Sequence, residues 1–181
     1  MTETKKKYEG KTVEWFCHLE YSGLASPPID RFADALLQGR ILGQRCPQCE
    51  KTFIGPKDFC PLDAIELDES HDVDCQQTGT VAGYTIVKPV DYYGQQETQN
   101  FARVSVVLDG GGSMIQQRLV EVPLEEIRVG MRVSAVWKPE ADRSIEDLGG
   151  MGGVGVHEAL EGWMPTGEPD VDADLMKGQA W

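Results

Sequence analysis

The chain is 181 residues long and 40% hydrophobic, with 30 acidic against 17 basic residues and a formal charge of −13. That length suffices for one well-buried domain, or for a small module with a barrel beside it. The charge works against binding to phosphate backbones or anionic lipid surfaces, and no run of about 18 apolar residues exists to span a bilayer.

The first residues, Met1 to Trp15, carry lysines with no apolar stretch behind them, so no secretory signal is expected and a cytoplasmic chain is. Trp15 and Phe16 form an aromatic cluster suited to docking, and Pro27-Pro28 marks a break before a helix. Over residues 29–38, Ile29, Phe32, Ala33, Leu36 and Leu37 fall on one helical stripe, and Gly39 follows where a C-cap glycine belongs. That stripe packs either on its own domain or, through Phe32 and Leu36, on a partner subunit.

Five cysteines follow an odd count and tight spacing that favour a metal over disulfides. Cys46-Pro47-Gln48-Cys49 is a knuckle whose two thiols can reach one ion. Cys60-Pro61-Leu62-Asp63 stands in register as a second knuckle, with aspartate in the fourth position. Asp63 completes a Cys3Asp zinc site, or Cys75 or His71 substitutes for it, or the module survives by packing alone. No open coordination position with an acid or base beside it is indicated, so a metal here is structural.

Strand signals begin near residue 75. Thr80–Lys88 is β-branched and aromatic. Phe101–Leu108 alternates and is answered across Asp109-Gly110-Gly111-Gly112-Ser113 by Met114–Val120, a hairpin. Pro123–Ile127 suits a single helical turn and Arg132–Lys138 another strand, so the region reads as a small barrel or sandwich. Residues 140–181 are Gly-rich and hold ten acidic side chains against Arg143 and Lys177, a local charge of −8. Within them, Trp163-Met164-Pro165 reads as an exposed docking peptide, in a tail ordered partly by a partner.

With these landmarks in place, Asp30 to about Pro139 resembles the zinc-ribbon OB-fold family of acyl-CoA-associated proteins. The resemblance is carried by Leu36-Leu37-Gln38-Gly39-Arg40, Ile41-Leu42-Gly43-Gln44-Arg45-Cys46, Phe53 with Pro56, Cys60-Pro61, Gly79-Thr80-Val81 and Glu125-Glu126-Ile127-Arg128-Val129-Gly130. It implies a mainly β chain: an N-terminal helical extension (1–40), a rubredoxin-like zinc ribbon (41–70), an OB-fold barrel (71–139) and an acidic extension (140–181). It further implies a hetero-oligomer in which a thiolase-fold, lipid-transfer-protein-like subunit supplies the catalytic residues. This chain then stabilises that subunit and helps shape a CoA-thioester site. The extensions at both ends favour the aldolase branch, which shortens steroid side chains, over an acyl-CoA condensing partner.

Three other signals are set aside. Gly150-Met151-Gly152-Gly153-Val154-Gly155 matches a dinucleotide fingerprint, but a charged stretch precedes it and too little chain follows for a βαβ unit. Single-stranded nucleic acid could stack on Tyr84, Tyr92, Tyr93 and Phe101. Between residues 76 and 122, however, only Lys88, Arg103 and Arg118 are basic. His18, His71 and His157 lie far apart in no catalytic spacing, so no catalytic residue is assigned.

Overall fold

A computed structural model of the chain describes residues 10, 11, 13, 15, 25–89, 98–111, 114–144 and 159–178. Helix α1 (Pro27–Leu37) starts on the proline pair, whose missing N–H groups cost nothing in a first turn. It ends where Gly39, at φ 74°, turns left-handed and its N–H donates to the Leu36 carbonyl. The Arg143 guanidinium reaches back 3.0 Å to the carbonyl of Leu37, another of the helix's orphan acceptors. Phe32, Ala35 and Leu36 are buried against Leu42 and Ala159, with Ile54 and Trp137 alongside. The stripe is therefore spent within this chain, which corrects the expectation that Phe32 and Leu36 dock a partner.

Next comes a three-stranded antiparallel sheet, β2-β1-β3, from β1 (Leu42–Arg45), β2 (Thr52–Ile54) and β3 (Asp72–Asp74). Buried Gln44 locks it. Its carbonyl oxygen accepts from the N–H groups of Lys57 and Asp58, both at 3.0 Å, while its amide donates to the Asp68 carbonyl and the Asp72 carboxylate. A buried amide with every group paired holds the loops of so small a sheet better than its few apolar side chains could.

The remaining strands close into a barrel in the order β4-β5-β6-β8-β7. They are β4 (Thr78–Val87), β5 (Phe101–Leu108), β6 (Met114–Leu119), β7 (Arg132–Trp137) and β8 (Leu160–Pro165). Along β5 burial alternates residue by residue, putting Ala102, Val104, Val106 and Leu108 inside. They meet Val81, Ile115, Leu119, Met131, Val133, Leu160 and Trp163 in one core, to which the ribbon contributes Ile41. The expected hairpin forms in register, Val107 opposite Met114, and the expected turn at 123–127 is a short 3-10 helix, Leu124–Glu126.

Residues 140–181 depart from expectation. β8 inserts between β6 and β7, parallel to the first and antiparallel to the second, so the barrel runs beyond the expected boundary at residue 139. After β8 the chain turns back along the barrel. The N–H of Val171 donates to the Gly130 carbonyl, and Arg128 and Arg132 pair with Asp170 and Glu168. Gly130, at φ 93°, leaves room for this return, since a Cβ there would lie 2.1 Å from the Val171 carbonyl oxygen. The Gly-rich segment 150–155 lies outside the described residues, as do Phe16, Tyr92, Tyr93, His18 and His157. Among the described residues no helix is long and apolar enough to cross a membrane.

Candidate metal centre

The two knuckles are built alike. In the first, the Cys46 N–H donates to the Lys51 carbonyl, and Glu50 takes a left-handed φ of 58°. In the second, the Cys60 N–H donates to the Ile65 carbonyl, and Ala64 takes φ 54°. Each turn also aims backbone N–H groups at its leading sulfur. Gln48 and Cys49 donate to Cys46 Sγ at 3.3 and 3.5 Å, and Asp63 donates to Cys60 Sγ at 3.3 Å. Asp63 thus occupies, in its knuckle, the place that Cys49 holds in the other.

The four side chains converge. One ligand atom from each of Cys46, Cys49, Cys60 and Asp63 lies within 4.8 Å of all the others. Asp63 Oδ2 is 3.2 Å from Cys46 Sγ and 3.3 Å from Cys60 Sγ, and Cys49 Sγ is 3.8 Å from Cys60 Sγ. A tetrahedral ion with metal–sulfur bonds of about 2.3 Å and a metal–oxygen bond of about 2.0 Å has edges of about 3.8 Å (S···S) and 3.5 Å (S···O). The observed edges match the first and fall slightly inside the second, so the residues present fit a metal ion. Three thiols and one carboxylate form a borderline-soft set suited to a divalent transition ion, and all four positions are protein groups, the pattern of a structural site.

Electrostatics within the cluster follow from this crowding. A backbone hydrogen bond at Lys51 favours the Cys49 thiolate, but desolvation and hydrogen bonds to Asp63, Cys46 and Cys60 outweigh it and push the thiol up to about 12. The Asp63 carboxyl is held below the usual carboxylate range, chiefly by hydrogen bonds from Cys49 and Cys46, helped by Cys60 and the Gln48 amide. A metal cation held by Cys46, Cys49, Cys60 and Asp63 would supply the positive charge that such a ligand set needs.

The two substitute ligands lie elsewhere. His71 Nδ1 is 2.9 Å from the Asp68 carboxylate, in the capping box of the 3-10 turn Glu69–His71. Cys75 sits half-buried beside Gly43, where desolvation and the nearby Asp74 charge push its thiol up to about 11. All four cysteines among the described residues are free. Of the expected docking residues, Trp15 is 91% exposed, while Trp163 is fully buried in the barrel core. Met164 and Pro165, beside it on β8, are half-buried. The expectation of an exposed Trp163 is therefore corrected: the indole fills the barrel. Gln44 and Gln48 were invisible to spacing arguments, because an amide between motif residues carries no pattern of its own.

Comparison with known proteins agrees with this architecture. A family model described as the ChsH2 rubredoxin-like zinc ribbon domain matches residues 33–62. A second, described as the ChsH2 C-terminal OB-fold domain, matches residues 72–138. Among solved structures, one described as "Ltp2-ChsH2(DUF35) aldolase" aligns with a TM-score of 0.55 at 19% identity, covering 80% of this chain and 98% of that one. Another, a protein of unknown function from the DUF35 family of Sulfolobus solfataricus, aligns with a TM-score of 0.49 at 18% identity, covering 61% of this chain and 79% of that one. No curated protein matches the sequence. With the ribbon and then the barrel each matched in tandem, and the same two modules seen in the fold, the chain belongs to the ChsH2 zinc-ribbon OB-fold family.

Proposed function

We propose that this chain is a non-catalytic partner subunit of a thiolase-like acyl-CoA enzyme, acting in the cytoplasm. Its partner is a retro-aldol lyase that shortens a steroid or related side chain carried as a CoA thioester. The observation that carries this reading is the ribbon-then-barrel fold, which aligns over 98% of a chain from an Ltp2-ChsH2(DUF35) aldolase structure. The partner's thiolase fold supplies the groups that move protons during C–C cleavage. This chain supplies a rigid surface that stabilises that subunit and borders the CoA-thioester site.

In this reading the metal is zinc, held by Cys46, Cys49, Cys60 and Asp63, whose clustered donors suit it. It ties two knuckles that also share a small core of Phe53, Leu67, Ile65 and the cysteines. Docking falls to exposed Trp15 with its neighbour Phe16, and to Met164 and Pro165 at the end of β8.

The test is co-expression of the tagged chain with candidate thiolase-fold lyases, followed by co-purification and assay of CoA-thioester cleavage. A stable hetero-oligomer is expected, with turnover only when both subunits are present. Failure of every such protein to bind, together with tight single-stranded DNA binding at moderate salt, would overturn the proposal.

A further inference from the structure

The second knuckle ends in a carboxylate where the first ends in a thiol, and the exchange raises a geometric problem. A thiolate has one donor atom. A carboxylate has two, on a terminal torsion that is broad and nearly two-fold, so it can swing, or chelate through both oxygens and spoil a tetrahedron. The structure holds Asp63 against both. Its Oδ2 faces Cys46 and Cys60, at 3.2 and 3.3 Å, while its Oδ1 accepts a 3.2 Å hydrogen bond from the Gln48 side-chain amide. Gln48 belongs to the opposite knuckle, and its backbone N–H donates to Cys46 Sγ at 3.3 Å. One residue thus addresses a sulfur with its main chain and the outer carboxylate oxygen with its side chain.

We propose that Gln48 is the positioning residue for Asp63, keeping the carboxylate monodentate through Oδ2 in a three-sulfur, one-oxygen site. This rests on the reading of the cluster as a metal centre. An amide donor on the outer oxygen blocks its approach to the ion and stops rotation of the group. Such outer partners typically carry tenfold to hundredfold in metal affinity, on the order of the loss expected here. A cysteine at position 63 would need no such support.

Cobalt(II) titration of the metal-stripped full chain tests this, because ligand-field bands report coordination number and sulfur-to-cobalt charge transfer reports the thiolates. Gln48→Ala is expected to weaken Co2+ binding about tenfold or more and to shift the ligand-field bands from the four-coordinate pattern. Gln48→Lys, which can still donate to Oδ1, is expected to recover most of that loss. In an Asp63→Cys background, Gln48→Ala should change affinity by less than about twofold, the mark of independent sites. Unchanged spectrum and affinity in Gln48→Ala, or an equal loss in both backgrounds, would overturn the role of Gln48 while leaving the metal centre standing. No cobalt bands in the wild type, with bands present in Asp63→Cys, would overturn the metal reading and this proposal together.

Discussion

Asp109, in the turn after β5, is gripped from three sides. Arg132 Nη1 and Nη2 donate to its two oxygens at 2.7 and 2.6 Å, and the Thr78 hydroxyl donates to Oδ2 at 2.5 Å. The fork ties the β5–β6 turn to β4 and β7, and the same guanidinium continues to Thr80 and Glu168. The Arg132 hydrogen bonds hold the Asp109 carboxyl below the usual carboxylate range, against the opposing pull of desolvation. Because the folded value is the depressed one, the group's contribution is complete above its unfolded value of about 3.9 and is lost as pH falls through the folded value. Asp109→Asn is expected to cost about 1–3 kcal/mol at pH 7, the range for a charge-assisted hydrogen bond. Urea titrations at pH 7 and pH 3 check this: the gap between variant and wild type should narrow at the lower pH, and a gap constant with pH would refute it.

At the scale of elements, what the sequence revealed tracks how regular each element is. The β5–β6 hairpin was legible because one face of β5 is buried throughout, which imposes strict alternation. The knuckles were legible because two thiols on one turn require fixed spacing. β8 was not. Its sequence, Leu-Glu-Gly-Trp-Met-Pro, mixes poor strand formers, and its burial does not alternate, because Leu160, Gly162 and Trp163 are all enclosed. Gly162 stands where a Cβ would come within 2.9 Å of the Arg118 carbonyl oxygen, so close passage along β6 dictated a residue that reads as a breaker. Trp163, taken from sequence as a docking side chain, has an indole N–H with no hydrogen-bond partner among the described residues, a cost accepted to fill the barrel. Trp163→Ala is accordingly expected to destabilise the isolated chain by about 3–5 kcal/mol. Chemical denaturation without any partner reads this directly. An unchanged midpoint, with only partner binding lost, would restore the docking role.

For the whole molecule, ribbon and barrel are joined through Ile41, which lies in the barrel core while β1 begins one residue later, and through the shelf of α1. The last barrel strand belongs to a segment that composition marks as an acidic tail, so truncation separates two pictures. A chain ending at residue 144 is expected to lose its sharp unfolding transition and to bind a hydrophobic dye, because β6 and β7 lose the strand between them. The knuckles, complete by Asp63, should still bind Co2+. A cooperative, dye-silent truncated chain would show that β8 is dispensable.

The strand order also sets a timetable for synthesis. The Gln117 side chain donates to the Leu160 carbonyl across 43 residues of sequence. On the ribosome Cys46, Cys49, Cys60 and Asp63 emerge before any barrel strand, and the knuckles can close at once. The barrel cannot: β6 and β7 emerge with open edges and wait for β8, an interval of a few seconds at about 5–20 residues per second. During that interval two half-paired strands stand open, and the nascent chain needs a chaperone or another chain to shield them.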